Sequence, residues 1–211
     1  ENNTGAWEKV ASDLARLCGL NVPESKVEKF SKYGSTFLVK RFDRDKKKRI
    51  HFASAMTLLK KTDGASAADG TSYLDIASFI KSSGSNPKDD LAELWKRIVF
   101  NMAVSNTDDH LRNHAFIYCK SGWKLSPLYD VNPVPYGDEL SLNVNETDNM
   151  ISVPLAIETA PRFGIESQKA KEIAAGILDT VKGNWEMLAA KYGISRADIE
   201  DMRPAFSECY K

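Results

Sequence analysis

Asn106-Thr107-Asp108-Asp109-His110-Leu111-Arg112-Asn113-His114, followed shortly by Gly122-Trp123-Lys124-Leu125-Ser126-Pro127-Leu128-Tyr129-Asp130, is the stretch whose reading decides the fold. It sets an Asp and an Asn five residues apart on one polar segment, D-x-x-x-x-N, and a second Asp beyond two short apolar runs. Those runs, Ala115 to Cys119 and Trp123 to Ser126, read as strands joined about Lys120-Ser121-Gly122, a hairpin turn signal. Phosphoryl transfer asks a protein for a carboxylate to orient the attacking hydroxyl, oxygen ligands for magnesium, and cations to offset phosphate charge. Asp108, Asn113 and Asp130 supply the first two in the order and spacing of a kinase site. Either half alone is weak, because Asp108 and Asn113 also suit caps and turns, and Asp130 opens an Asp130-Val131-Asn132-Pro133 turn. The conjunction around a hairpin carries the reading.

The neighbours leave choices open. Asp109 competes with Asp108 for the catalytic role, and only the offset to Asn113 favours Asp108. Arg112 is either a fixed cation for the transferred phosphoryl group or one half of a surface ion pair. His110 and His114 lie at i and i+4, which suits a zinc pair, but no third ligand is apparent and a histidine that steadies the loop is the simpler reading. His51 is assigned no role.

Working outward, Trp7, Val10, Ala11, Leu14, Leu17 and Cys18 recur at helical spacing and Gly19 follows as a left-handed cap. Lys26 to Phe30 and Thr36 to Phe42 read as strands of a hairpin about Ser31 to Ser35, and Arg49 to Phe52 as a third strand leading into a helical stretch from Ala53 to Lys60. Thr62 to Thr71 (TDGASAADGT) has no periodic apolar face and reads as a mobile loop. Leu74, Ala77, Phe79 and Ile80 then mark a helix that ends near Ser82-Ser83-Gly84. Asn86-Pro87 then starts the strongest helical pattern in the chain, with Leu91, Leu94, Trp95, Ile98, Val99 and Met102 on one face. Beyond Val153 the pattern is helical, over 155–163, 169–192 and 196–206, punctuated by Gly164 and Gly193.

Composition narrows the class. Hydrophobic residues at 42% and charged residues at 27% of 211 fit a globular domain or two small lobes. No apolar run approaches the roughly 20 residues of a membrane span. Lys and Arg (29) balance Asp and Glu (29), so there is no global basic field for nucleic acid, and the run Lys46 to Arg49 reads as a solvated hairpin tip. The 3 cysteines are dispersed without metal-ligand spacing, which suits reduced thiols in a cytoplasm. The chain starts with Glu and carries no secretory signal, so it reads as a trimmed segment.

The block from Asn106 to Asp130, with Gly19 to Pro23 and Val39-Lys40-Arg41-Phe42-Asp43-Arg44, resembles the C-terminal kinase region of HipA-like proteins. The resemblance implies an α+β, two-lobed protein-kinase-like fold: a truncated N-lobe with a small antiparallel sheet over residues 1–60, and a mostly helical C-lobe over 61–211 carrying the catalytic loop and metal-binding hairpin. It implies a bacterial serine/threonine protein kinase using ATP and Mg2+, usually the toxin of a toxin–antitoxin pair. The implied partners are a protein substrate, in characterised members an aminoacyl-tRNA synthetase, and a helix-turn-helix antitoxin through which DNA is met only indirectly. By position, Asp108 is then the base, Asn113 and Asp130 the metal ligands, and the Lys40, Arg41 and Phe42 segment the hinge whose backbone meets adenine. Glu8 takes the place of a glutamate that braces the phosphate-binding lysine.

The family's glycine-rich phosphate loop, regulatory serine and ATP-contacting lysine belong before Glu8, and none of the 12 glycines forms such a loop. Two other classes stay open: a pseudokinase or antitoxin-binding module without turnover, and a small-molecule phosphotransferase sharing the same carboxylates. Loss of phosphate positioning removes interactions made in the transition state. Residues 1–211 alone are therefore expected to turn over ATP far more slowly than an N-terminally extended version; equal rates would overturn that expectation.

Overall fold

The computed structural model describes residues 3–31 and 34–211. Helix α1 (Thr4–Leu17) buries Trp7, Val10, Leu14 and Ala15 on one face. It closes as the glycine signal predicts: Gly19 is left-handed (φ 75°), its amide bonds the Arg16 carbonyl, and the Leu20 amide bonds that of Ala15. Strands β1 (Ser25–Ser31) and β2 (Gly34–Val39) form an antiparallel hairpin; Lys32 and Tyr33 of its loop lie outside the described residues. The hairpin packs against α1 at Gly5, where a Cβ would sit 2.3 Å from the Ser35 carbonyl oxygen.

β2 stops at Val39, three residues short of the strand expected from sequence. The Lys40 amide still reaches the Glu24 carbonyl at 2.8 Å. Beyond it the buried Asp43 carboxylate draws in Arg41 and Arg44, and this pairing turns the chain away. The strand expected over 49–52 is divided. β3 (Arg44–Asp45) and β4 (Lys48–Arg49) make a two-residue hairpin about left-handed Lys46, which carries the basic run at its exposed tip. β5 (Phe52–Ser54) joins another sheet in the order β5-β6-β7 with β6 (Ala115–Cys119) and β7 (Gly122–Leu125). The predicted helix over 53–60 shrinks to α2 (Ala55–Leu58).

The rest is helical: α3 (Tyr73–Ser83), α4 (Pro87–Ala103), α5 (Val153–Thr159), α6 (Ser167–Lys191) and α7 (Arg196–Met202), with 3-10 turns after α5 and α7. Helix α4 is buried nearly all round. Its Trp95 indole donates to the Ala156 carbonyl at 2.7 Å, and its wholly buried Arg97 donates to Glu93 and to the Ser126 carbonyl at 2.7 Å. Trp185 of α6 stacks on Phe206 with centroids 4.2 Å apart. One apolar core runs from Ala6 to Cys209, with α1 against α6 and β5 paired to β6, so packing crosses position 60.

The polar 62–71 segment, expected to be mobile, is pinned. The Ala67 amide bonds the Ser141 carbonyl, the Asn143 amide bonds that of Thr71, and the Tyr73 amide bonds that of Asn143. No described helix is long and apolar enough to cross a membrane.

Candidate active site

The loop between α4 and β6 is built around a buried carboxylate. Oδ2 of Asp109, 1% exposed, accepts from the Tyr73 hydroxyl at 2.7 Å and Asn101 Nδ2 at 2.7 Å and lies 2.9 Å from His114 Nε2. Burial alone would push this carboxyl up, but the His114 charge and the hydrogen bonds from His114 and Tyr73 outweigh it and hold it below the usual carboxylate range. An unpaired carboxylate here would be prohibitively costly, so these contacts fix the loop. Left-handed Ser105 (φ 46°) makes the exit from α4, and Asn106 bonds back to Asn101 through its amide and side chain.

With Asp109 locked inside, its neighbour Asp108 is turned to solvent and is the one of the two that a substrate can reach. Asn113 is buried; its Nδ2 donates to the Asp108 carbonyl at 3.1 Å and closes the loop, leaving Oδ1 without a protein donor among the described residues. His114 is committed to Asp109, so the i, i+4 histidines do not act as a pair.

The segment that carries Asp130 is tied to this loop. The Tyr129 hydroxyl donates to the Arg112 carbonyl at 2.7 Å, the Asn132 amide to Asn106 Oδ1 at 3.2 Å, and the Val134 amide to the Ser105 carbonyl at 3.2 Å. Asp130 itself, exposed and left-handed (φ 57°), thus stands between an attachment to Arg112 and attachments to Ser105 and Asn106 just before Asp108. A left-handed non-glycine residue held by flanking bonds is a common feature of functional sites.

Beside Asp130 opens a cleft of about 570 Å³, part of it open to solvent, between α1, β2 and the segment after β7. Ala15, Val22, Val39 and Leu128 give it an apolar wall, and Glu8 and Asp130 bring two carboxylates to it. Burial, then the Asp130 charge, pushes Glu8 up to about 7. Among the described residues neither is ion-paired, so Asp130, joined by Glu8 once that group ionises, gives the cleft negative charge that suits a cation.

The hinge residues contribute no side chain to this cleft. Lys40 pairs with Glu24 and Arg41 with Asp43. Phe42 packs on Tyr129 at 5.6 Å and on Phe52 at 5.4 Å, bracing the phenol that ties Asp130 to the loop. Burial also raises the Tyr129 phenol well above its ordinary range, keeping it a donor. Arg112 forms an ion pair with Asp63. Sequence reasoning missed the apolar wall and Tyr129; the wall is assembled from three separate segments and has no local signal.

The fold is kinase-like, and solved structures share it. The fold superposes with a TM-score of 0.82 on the HipA of a Shewanella oneidensis toxin–antitoxin complex with HipB and operator DNA, at 16% identity, covering 98% of this chain and 55% of that one. It matches the Helicobacter pylori proinflammatory kinase CtkA at a TM-score of 0.56 and 12% identity, covering 98% of this chain and 87% of that one. A Haemophilus influenzae protein named "Putative kinase" is 35% identical over 142 residues, which is 61% of this chain and 41% of that protein. The model of the HipA-like C-terminal domain matches residues 1–185, and the chain belongs to that family. It spans less than half the length of the curated relatives it matches.

The two adjacent carboxylates should respond differently to mutation. Asp109→Asn should cost about 2–4 kcal/mol in chemical denaturation, and Asp108→Asn less than about 0.5 kcal/mol; equal costs would contradict the division between anchor and exposed group. Because the folded-state pKa of Glu8 is raised, its ionisation costs stability as pH climbs from about 4.5 to about 7. Glu8→Gln should therefore stabilise the fold by about 1–2 kcal/mol at pH 8, a figure reduced for solvent screening in an open cleft, and by nothing at pH 4. Urea melts of both proteins at the two pH values test this.

Proposed function

We propose that this chain is the catalytic region of a HipA-like serine/threonine protein kinase, the toxin of a bacterial toxin–antitoxin pair working in the cytoplasm, that transfers the γ-phosphate of ATP to a protein hydroxyl. Membership of the family and a kinase-like fold support the general class. The single observation that carries the reading is the hydrogen bond from Tyr129 to the Arg112 carbonyl, which holds Asp130 against the loop of Asp108 and Asn113 at the edge of an apolar cleft.

In this reading adenine enters the cleft from the Val39 side, along the backbone of Lys40 to Phe42. Asn113 and Asp130 hold Mg2+. Among the described residues no group of three or more His, Cys, Asp or Glu converges on one point, so phosphate oxygens and water would complete its shell, the usual way a protein holds magnesium. The ion's part is to neutralise charge on the phosphates. Asp108 accepts a hydrogen bond from the acceptor hydroxyl, orients it and takes its proton. Glu8, which lines the same cleft as Asp130, would brace a phosphate-binding lysine. A helix-turn-helix antitoxin is the expected partner, with DNA met through it, as suits the company of HipB and operator DNA in the Shewanella structure. The acceptor class implied by the family is an aminoacyl-tRNA synthetase.

Calorimetric titration with ADP tests the reading on the chain itself. Binding should require Mg2+ and weaken at least tenfold in Asp130→Asn, while Asp108→Asn binds like the unaltered chain. Binding that ignores both Mg2+ and Asp130 would refute it.

A further inference from the structure

A second cavity, of about 500 Å³ and partly open to solvent, borders the loop that carries Asp108. Arg112 joins the two: its carbonyl accepts from Tyr129 of the first cleft, and the residue lines the second. The loop that carries Asp108 forms one wall. Ser141, on the other, donates to the Thr107 carbonyl at 2.7 Å, immediately before Asp108. The cavity therefore opens next to the residue proposed to receive the acceptor hydroxyl.

Its chemistry is one-sided. Arg112, His110, Thr62, Ser66 and Ser141 line it together with Met56, and no carboxylate does. His110 Nδ1 is buried without a hydrogen-bond partner among the described residues. The carboxylate that answers this set is Asp63, which reaches Arg112 from the rim. That pair is exchangeable. The Arg112 and Asp63 side chains are 44% and 76% exposed, so the bond is screened and worth little, and among the described residues Asp63 is otherwise bonded only to the amide of Gly64 next to it. The segment bearing Asp63 is of small residues but is pinned further on, at Ala67 and Thr71, so Asp63 can let go without unfolding it.

We infer that this cavity is a subsite for an acidic side chain of the protein acceptor beside its phosphorylated hydroxyl, with Arg112 as the reader and Asp63 as an internal carboxylate occupying its place until the acceptor displaces it. The inference rests on the protein-kinase reading and narrows its substrate class to hydroxyls flanked by Asp or Glu. A guanidinium with two faces free to a planar carboxylate is the group suited to this recognition.

Two peptides, Ac-Asp-Asp-Ser-Asp-Asp-NH2 and Ac-Asn-Asn-Ser-Asn-Asn-NH2, titrated into the 15N-labelled chain, test it. The Asp peptide should shift the amides of residues 62–66 and 110–112, and the Asn peptide should not. Asp63→Asn should tighten the Asp peptide at least threefold, Arg112→Gln should weaken it at least fivefold, and 0.5 M NaCl should weaken it in both the unaltered chain and Asp63→Asn. Spectra that otherwise overlay exclude misfolding. Equal binding of the two peptides, or an affinity that Asp63→Asn leaves unchanged or lowers, would overturn the subsite. So would displacement of the peptide by an oligothymidylate of equal charge at lower concentration, which would assign the cavity to nucleic-acid phosphate. Mg-ADP titrated into the same samples keeps the two ideas apart: nucleotide binding without acidic-peptide binding removes the subsite alone, whereas absence of nucleotide binding removes the kinase reading.

Discussion

One carboxylate oxygen, Oδ2 of Asp109, is met by groups from three parts of the chain: Tyr73 at the start of α3, Asn101 in the last turn of α4, and His114 at the entry to β6. Removing a carboxylate from water is tolerable only when such partners surround it, so the loop has one low-energy path through this point. Everything chemical in the molecule is placed relative to that path. Asp108 is exposed because Asp109 is not. Asn113 closes the loop one residue before His114 anchors its end.

The second constraint is the attachment of the segment after β7. Arg97, wholly buried in α4, holds the Ser126 carbonyl, and the Leu125 amide donates to the buried Asp90 at 2.9 Å. The hairpin therefore leaves the core in a fixed direction, and Tyr129, braced by Phe42, carries Asp130 to the loop. Cations and anions are sorted on either side of this seam. Carboxylates gather in the cleft of Glu8 and Asp130, while basic and hydroxyl groups gather in the cavity of Arg112 and His110. The proposed magnesium nucleotide and acidic acceptor would complement those two faces, with Asp108 carried by the loop that borders the second.

Much of this was legible in the sequence where a signal is local. The glycine stop of α1, Pro87 at the start of α4, and the alternation of β6 and β7 each act within a few residues, and each element forms where it is expected. β2 was overread because Val39-Lys40-Arg41-Phe42 continues a strand-like alternation, while the force ending it, Asp43 gathering two arginines, is a tertiary preference for a buried, paired carboxylate. The 62–71 segment looked mobile because its anchors are backbone groups of Ser141 and Asn143, some seventy residues away. Asp108 and Asp109 are chemically identical neighbours that only the offset to Asn113 separates in the sequence; the three partners assembled by folding bury one and leave the other exposed. The order of the catalytic loop, hairpin and final Asp could be read in advance; the apolar cleft wall, drawn from α1, β2 and the 128–131 segment, could not.

Anomalous diffraction from crystals of the chain grown with Mn2+ and a non-hydrolysable ATP analogue measures the central claim directly. A manganese peak within about 2.5 Å of both Asn113 Oδ1 and an Asp130 carboxylate oxygen, with the adenine ring against Val22 and Val39, is the predicted result. A nucleotide bound elsewhere, or manganese on Asp130 with Asn113 turned away, would contradict it.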